Sequence, residues 1–189
     1  MNISPQYTDN DWEIAFQKGP DWDKAIAIVE DRIEGRWLRW VDEIAPFRFS
    51  GFAVLALDCI VLESLWGFMN GKSLPKGQER DVYRNILKGS RFGWTDKQCD
   101  DFREFVRNGL MHDAETRKGW RVEKSIPRYS IIDQSKHGGY RINRTMFHEA
   151  LKAAVADWIK ELRRGQDSDL RENMRHRMDQ IIKIHNATR

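Results

Sequence analysis

The stretch "GFAVLALDCIVLESLWGFMN", residues 51–70, decides the fold. It is apolar almost all round and as long as a helix that crosses a bilayer. Asp58 and Glu63 lie inside it, and an ionised carboxylate in lipid is expensive. The segment therefore predicts a central helix, buried on most sides within a helical bundle. The two acids must then find cations or backbone donors inside the protein, or reach the surface between helices.

The flanking sequence supplies the rest of a bundle. Before it, "DWDKAIAIVEDRIEGRWLRWVDEI" places Ile26, Val29, Ile33, Trp37, Trp40, Val41 and Ile44 at steps of three and four, one stripe of an amphipathic helix that Pro46 ends. After it, "GFMNGKS" imitates a phosphate-binding loop but lacks its spacing. Trp66 occupies the required glycine position, so Gly71 reads as a helix stop. A short helix is expected within "GQERDVYRNILKGSRFG". Thr95 and Gln98 then form a capping box that opens a helix burying Cys99, Phe102, Phe105, Val106 and Leu110, with Gly109 a weak point or stop.

Beyond His112 the period changes. "WRVEKS", "RYSIID" and "YRIN" alternate, separated by Pro127 and the turn-like "QSKHGG", and predict a small antiparallel β appendage. "RTMFHEALKAAVADWIKELRRG" returns to helix with Gly165 as its stop. "DSDLRENMRHRMDQIIKIH" is a thinner amphipathic helix, to be packed on the body or on a second subunit. The expected organisation is an N-terminal extension over 1–20, a helical domain over 21–165 with a β insertion at about 120–143, and a C-terminal helix over 166–189.

Composition sets the class. With 40% hydrophobic and 32% charged residues, the 189-residue chain is neither disordered nor fibrous, and several of its eight tryptophans must be buried. Residues 1–116 hold 15 Lys/Arg against 20 Asp/Glu, a net of −5, and residues 117–189 hold 17 against 9, a net of +8. The C-terminal part would attract an anionic partner, or else presents solvated basic helix faces. Cys59 and Cys99 match no metal-ligand spacing, and Cys59 reads as a core residue. "MNISPQYTDNDWE" has neither the basic nor the apolar region of a secretory signal, so a cytoplasmic setting is expected. His148, in "HEAL", lacks the second histidine of a zinc-protease motif, and His176 and His185 sit in the basic last helix.

The chemistry concentrates in "FREFVRNGLMHDAETRKGW", residues 102–120, where Arg107, Asn108 and His112 fall within six residues. In an ideal helix Arg107 and His112 would point roughly 140° apart, so they converge only through a helix distortion near Gly109 or across a subunit interface. Arg107 could simply be a surface cation at a helix C-terminus, with His112 a cap. Alternatively, metal-free RNA cleavage needs a proton removed from a ribose 2′-OH and one delivered to the 5′-oxygen. Histidine suits both tasks, and a guanidinium can hold the oxygens of the phosphorane-like transition state.

"FVRNGLMHDAETR" resembles the catalytic motif of the HEPN superfamily, an arginine, a polar residue and, after further positions, a histidine. Arg107, Asn108 and His112 match those positions, and "LDCIVLESLWGF" is similar to an upstream helix of one bacterial branch, which brings in Asp58 and Glu63 as supporting residues. The resemblance covers roughly 21–125 and 145–164. It implies a mainly α, HEPN-like bundle, here with the β appendage and an extra C-terminal helix. It further implies a homodimer with a composite site, and metal-independent endoribonuclease activity without a cofactor, as in toxins or phage-defence effectors. RNA is the implied partner, with an antitoxin or defence-system protein as a further one, and no membrane. Arg103, Arg117, Lys118 and Arg121 are candidate RNA-binding residues. The alternative is a catalytically silent HEPN-like module that binds a nucleotide or a protein: in the enzyme Arg107 and His112 would be exposed in a basic groove close to their symmetry mates, and in the silent module they would be capped, paired with Asp58 or Glu63, or buried.

Overall fold

The computed structural model of the chain describes residues 1–74, 79–126, 130–136 and 138–187. Pro127 and His137, used above as a breaker and a turn residue, lie outside the described residues, as does the start of the segment from Gly77 in which a short helix is expected. The protein is mainly helical, with a small three-stranded sheet. In chain order α1 is Asp9–Gln17, α2 Trp22–Ile33, α3 Arg39–Ile44, α4 Gly51–Asn70, α5 Glu79–Leu87, α6 Asp96–Asp101 and α7 Asn108–Asp113. Then come β1 Arg121–Glu123, β2 Ile132–Gln134, β3 Tyr140–Asn143, α8 Arg144–Arg164 and α9 Ser168–Ala187.

Helix α4 is the axis of the fold. It is long and apolar enough to cross a membrane, yet 56% of its most apolar window is buried by the protein itself. α3, α5, α7, α8 and α9 all pack against it. Its Leu55, Cys59, Val61, Leu62 and Phe68 are fully buried, and each such large apolar side chain contributes about 1.5–3 kcal/mol. The helix stops where Gly71 turns left-handed (φ 65°), as expected of a glycine stop. α8 ends in the same way at Gly165.

α2 and α3 form one continuous helix, joined by a π-helical turn over Glu34–Leu38. The expected stripe is altered there. Burial runs through Ile26, Val29 and Ile33, then jumps five positions to Leu38 and on to Val41. The extra residue of a π turn rotates the face, which leaves Trp40, expected in the stripe, 58% exposed. Gly35 sits in that turn because Pro5 lies only 2.6 Å from where a Cβ would be.

Residues 1–20 are part of this body. Ile3, Trp12 and Ala15 are buried, and the Trp12 indole donates to Asp179 Oδ1 at 2.7 Å. α9 packs on α4 of the same chain through Met174, Met178 and Ile182. The appendage is a mixed sheet of order β1-β3-β2, not a purely antiparallel one. β2 and β3 pair antiparallel, whereas β1 runs parallel to β3. The chain crosses over between β1 and β2, so the middle strand gains one neighbour of each sense. Trp120, buried just before β1, packs against Tyr140 at 4.9 Å and Phe102 at 6.1 Å, and so ties the sheet to the helix that carries the motif.

Candidate functional site around Arg107

The motif helix begins as expected. Thr95 and Gln98 satisfy each other's backbone donors and open α6. A second π-helical turn, Phe102–Arg107, joins α6 to α7. The helix continues through Gly109 and ends at Ala114, which takes the left-handed conformation (φ 54°). Gly109 is therefore not the stop. The returning chain crosses so close to it that a Cβ would lie 2.3 Å from the Glu115 carbonyl oxygen. That return is held by the Arg117 N–H on the Phe105 carbonyl at 2.8 Å and by the Thr116 hydroxyl on the Trp120 carbonyl at 2.7 Å.

Arg107 leaves the π turn toward α4. Its Nε donates to Glu63 Oε1 at 2.8 Å and its Nη2 to Glu63 Oε2 at 3.3 Å, a two-pronged pair of partly buried side chains. The Tyr83 hydroxyl, from α5, donates to Glu63 Oε1 at 2.6 Å. Nη1 of Arg107 donates to Asn108 Oδ1 at 3.2 Å, and Asn108 Nδ2 to Glu104 Oε2 at 3.3 Å. Burial works against the guanidinium's charge, but the Glu63 carboxylate outweighs it and the Arg107 pKa lies above its ordinary value. Burial, with the Glu63 carboxylate beside it, raises the Tyr83 phenol well above its ordinary value and keeps it a donor.

The His112 side chain is exposed on α7 and makes no hydrogen bond to a described residue. Because the π turn precedes Arg107 and regular helix follows it, the two side chains keep their roughly 140° divergence. A single chain does not bring them together. Among the candidate RNA-binding residues, Lys118 and Arg121 are exposed. Arg117 pairs with Asp113 and Arg103 with Glu104, so both are already engaged by acids.

Asp58 does not join this group. It stands five residues before Glu63 on α4, hence on another face, fully buried, and pairs with His148 Nδ1 of α8 at 2.7 Å. His148 Nε2 reaches Asp42 Oδ1 at 3.2 Å, and Lys152 Nζ holds both oxygens of Asp42. Burial raises the Asp58 pKa. Burial also opposes charge on His148, but Asp58 and Asp42 outweigh it and raise the imidazole above 6.5. The imidazole and the Asp58 carboxyl thus share a hydrogen bond inside the protein.

Tyr83 and His148 are the residues that sequence reasoning missed. Tyr83 is an ordinary member of an amphipathic helix, and His148 is 3% exposed on the inner face of another. The one available signal was the demand that Asp58 and Glu63 be paired. Among the described residues no group of His, Cys, Asp and Glu gathers in a metal-binding arrangement. Comparison with protein-family models, with curated proteins and with solved structures returned no match for this chain.

Proposed function

We propose that this protein is a metal-independent endoribonuclease of the HEPN type, acting as a homodimer whose composite site joins Arg107 of one copy to His112 of the other. One observation carries the reading. The His112 side chain, five residues from Arg107, is exposed and bonded to no described residue, and the bonds of Arg107 to Glu63 and Asn108, although pairing with Glu63 is the mark of the silent module, leave part of its guanidinium free. A guanidinium has five N–H donors. Glu63 uses two and Asn108 one, so two remain on Nη1 and Nη2 for phosphoryl oxygens. Fixing the fork in advance removes reorganisation at the moment of reaction.

In this reading an imidazole takes the proton of a ribose 2′-OH. The 2′-oxygen attacks the adjacent phosphorus, and the bond to the 5′-oxygen breaks as that oxygen gains the proton back from the same imidazole. The products are a 2′,3′-cyclic phosphate and a 5′-hydroxyl. Asn108 positions Arg107 through its side-chain oxygen, and Glu63 positions it from α4. The role in a toxin or defence system, with a protein partner that restrains or triggers it, is part of the same proposal.

The second reading rests on the same ion pair. A guanidinium half-neutralised by Glu63 also suits a silent module in which the pair is structural. The discriminating experiment is incubation of the purified protein with total RNA in EDTA, followed by end-group analysis. Cleavage that leaves 2′,3′-cyclic phosphate, and is lost in His112→Ala, supports the enzyme. No cleavage, or cleavage that needs magnesium and leaves 3′-hydroxyl ends, supports the module or another site.

A further inference from the structure

The turn between α3 and α4 is built in a way that core packing does not explain. Phe47 is 66% exposed and Phe49 87% exposed, and Trp40 at the start of α3 is 58% exposed. Each forgoes burial of a large apolar surface. Phe49 also holds a left-handed backbone (φ 67°), a conformation a bulky aromatic residue rarely adopts. The turn is nevertheless held firmly. Arg144, 6% exposed, donates through Nη2 to the carbonyls of Ala45 and Phe47 and through Nη1 to the Ser50 hydroxyl. A nearly buried cation thus fastens a strained turn that displays aromatic rings. Strain kept in this way points to use.

The surroundings indicate the user. The Arg48 guanidinium lies 4.7 Å from the centre of the Phe49 ring. Pro46, Phe47, Phe49, Val122 and Lys124 line an open recess of about 370 Å³ between this turn and β1, and no described acidic residue lines it. Flat rings alternating with cations suit a single-stranded nucleic acid, whose bases stack while its phosphates meet the charges. The exposed cations Lys118 and Arg121 lie along the chain from α7 to β1. α4 runs from this turn to Glu63, twelve residues and roughly 18 Å along the helix axis.

We infer that the 46–49 turn, with Lys124, is a base-stacking platform for single-stranded RNA, a subsite separate from Arg107 and His112 that holds unpaired substrate. This rests on the ribonuclease reading for its purpose, but not for its test.

The test uses the full-length His112→Ala protein in EDTA at fixed salt, with fluorescence anisotropy of a labelled 12-nucleotide oligouridine and of a duplex RNA of equal length. Single-stranded RNA should bind more tightly than duplex. Phe49→Gly, placed on the His112→Ala background, removes the ring at a position where glycine relieves the backbone. It should weaken oligouridine binding by about 5- to 150-fold without lowering the melting temperature. Phe47→Ala should weaken it similarly, and Arg48→Ala should flatten the salt dependence. Affinity within twofold of the parent in both aromatic variants overturns the platform. So does a fall in oligomeric mass on Phe49→Gly, which would make the surface an interface between copies, or binding to anionic phospholipid vesicles that oligouridine does not compete. Intact oligouridine binding that needs Phe49, with no RNA cleavage by the unsubstituted protein, keeps the platform and rejects the nuclease. Cleavage that is unaffected by Phe49→Gly does the reverse.

Discussion

The Arg107 guanidinium meets the Glu63 carboxylate through two hydrogen bonds, of 2.8 and 3.3 Å, across 44 residues of sequence. An arginine on the motif helix is thereby oriented by an acid on the central helix. The same acid is what a membrane reading of residues 51–70 could not accommodate.

Glu63→Gln should expose this dependence. The amide keeps the shape but loses the charge and one acceptor oxygen. A hydrogen bond to a charged group contributes about 1.5–3 kcal/mol. For a chain of this size each kcal/mol shifts the melting temperature by roughly 2–4 °C. Differential scanning calorimetry should show a loss of that order, and RNA cleavage should fall with it. Unchanged stability and unchanged cleavage would remove Glu63 from the site.

Arg107→Ala and His112→Ala should separate structure from chemistry. Both should abolish cleavage, since losing a general acid–base group typically costs ~100- to 10,000-fold. Their stabilities should differ. The His112 side chain is exposed and bonds to no described residue, so its removal should leave the unfolding midpoint unchanged. Removing Arg107 strands Glu63 with Tyr83 alone and should lower it. Full activity in His112→Ala would return the histidine to a helix-end residue.

Subunit mixing tests the composite site. Arg107 and His112 diverge within one chain, so a two-fold dimer is needed to face them. Arg107→Ala and His112→Ala chains, each inactive alone, should regain cleavage when unfolded and refolded together, because each mixed dimer retains one intact pair. Failure to complement, or a strictly monomeric mass by light scattering at micromolar concentration, would count against it.

The His148–Asp58 pair should govern the pH dependence of stability. His148 has a folded pKa raised above 6.5. Its contribution is therefore fully present below the unfolded value and lost as pH rises through the folded one. Asp42 and Lys152 stand on the outer side of His148, so the pair is closed from both directions. Urea unfolding should show stability falling as pH rises from 6 to 9. That slope should shrink in His148→Gln, which should also lose about 3–5 kcal/mol by leaving Asp58 buried and unpaired. An unaltered slope would show that other groups set it.

Ala114→Gly should stabilise the protein. Ala114 ends α7 with φ 54°, where an L residue costs roughly 1–2 kcal/mol that glycine avoids. Part of this is offset by the greater freedom of glycine in the unfolded chain. A midpoint rise of a few degrees is expected. A fall would mean that the Ala114 methyl contributes more than its backbone strain removes.

What the sequence by itself determined is local. The Thr95 and Gln98 capping box, the glycine stops at 71 and 165 and the central apolar helix depend on residues a few positions apart, so their signals survive without a fold. The requirement that Asp58 and Glu63 be paired was also legible, because burying a lone charge is prohibitive. Which partners they take was not. Glu63 reaches Tyr83 and Arg107 across 20 and 44 residues, and Asp58 reaches His148 across 90. Nor did a repeat of three and four reveal the two π turns, the exposure of Trp40, or an alanine in place of a glycine at the end of α7. Those depend on which surfaces meet. The close approach of Pro5 to Gly35 and of Glu115 to Gly109, and the parallel seat of β1 against β3, are set only when distant parts of the chain compete for the same space around α4.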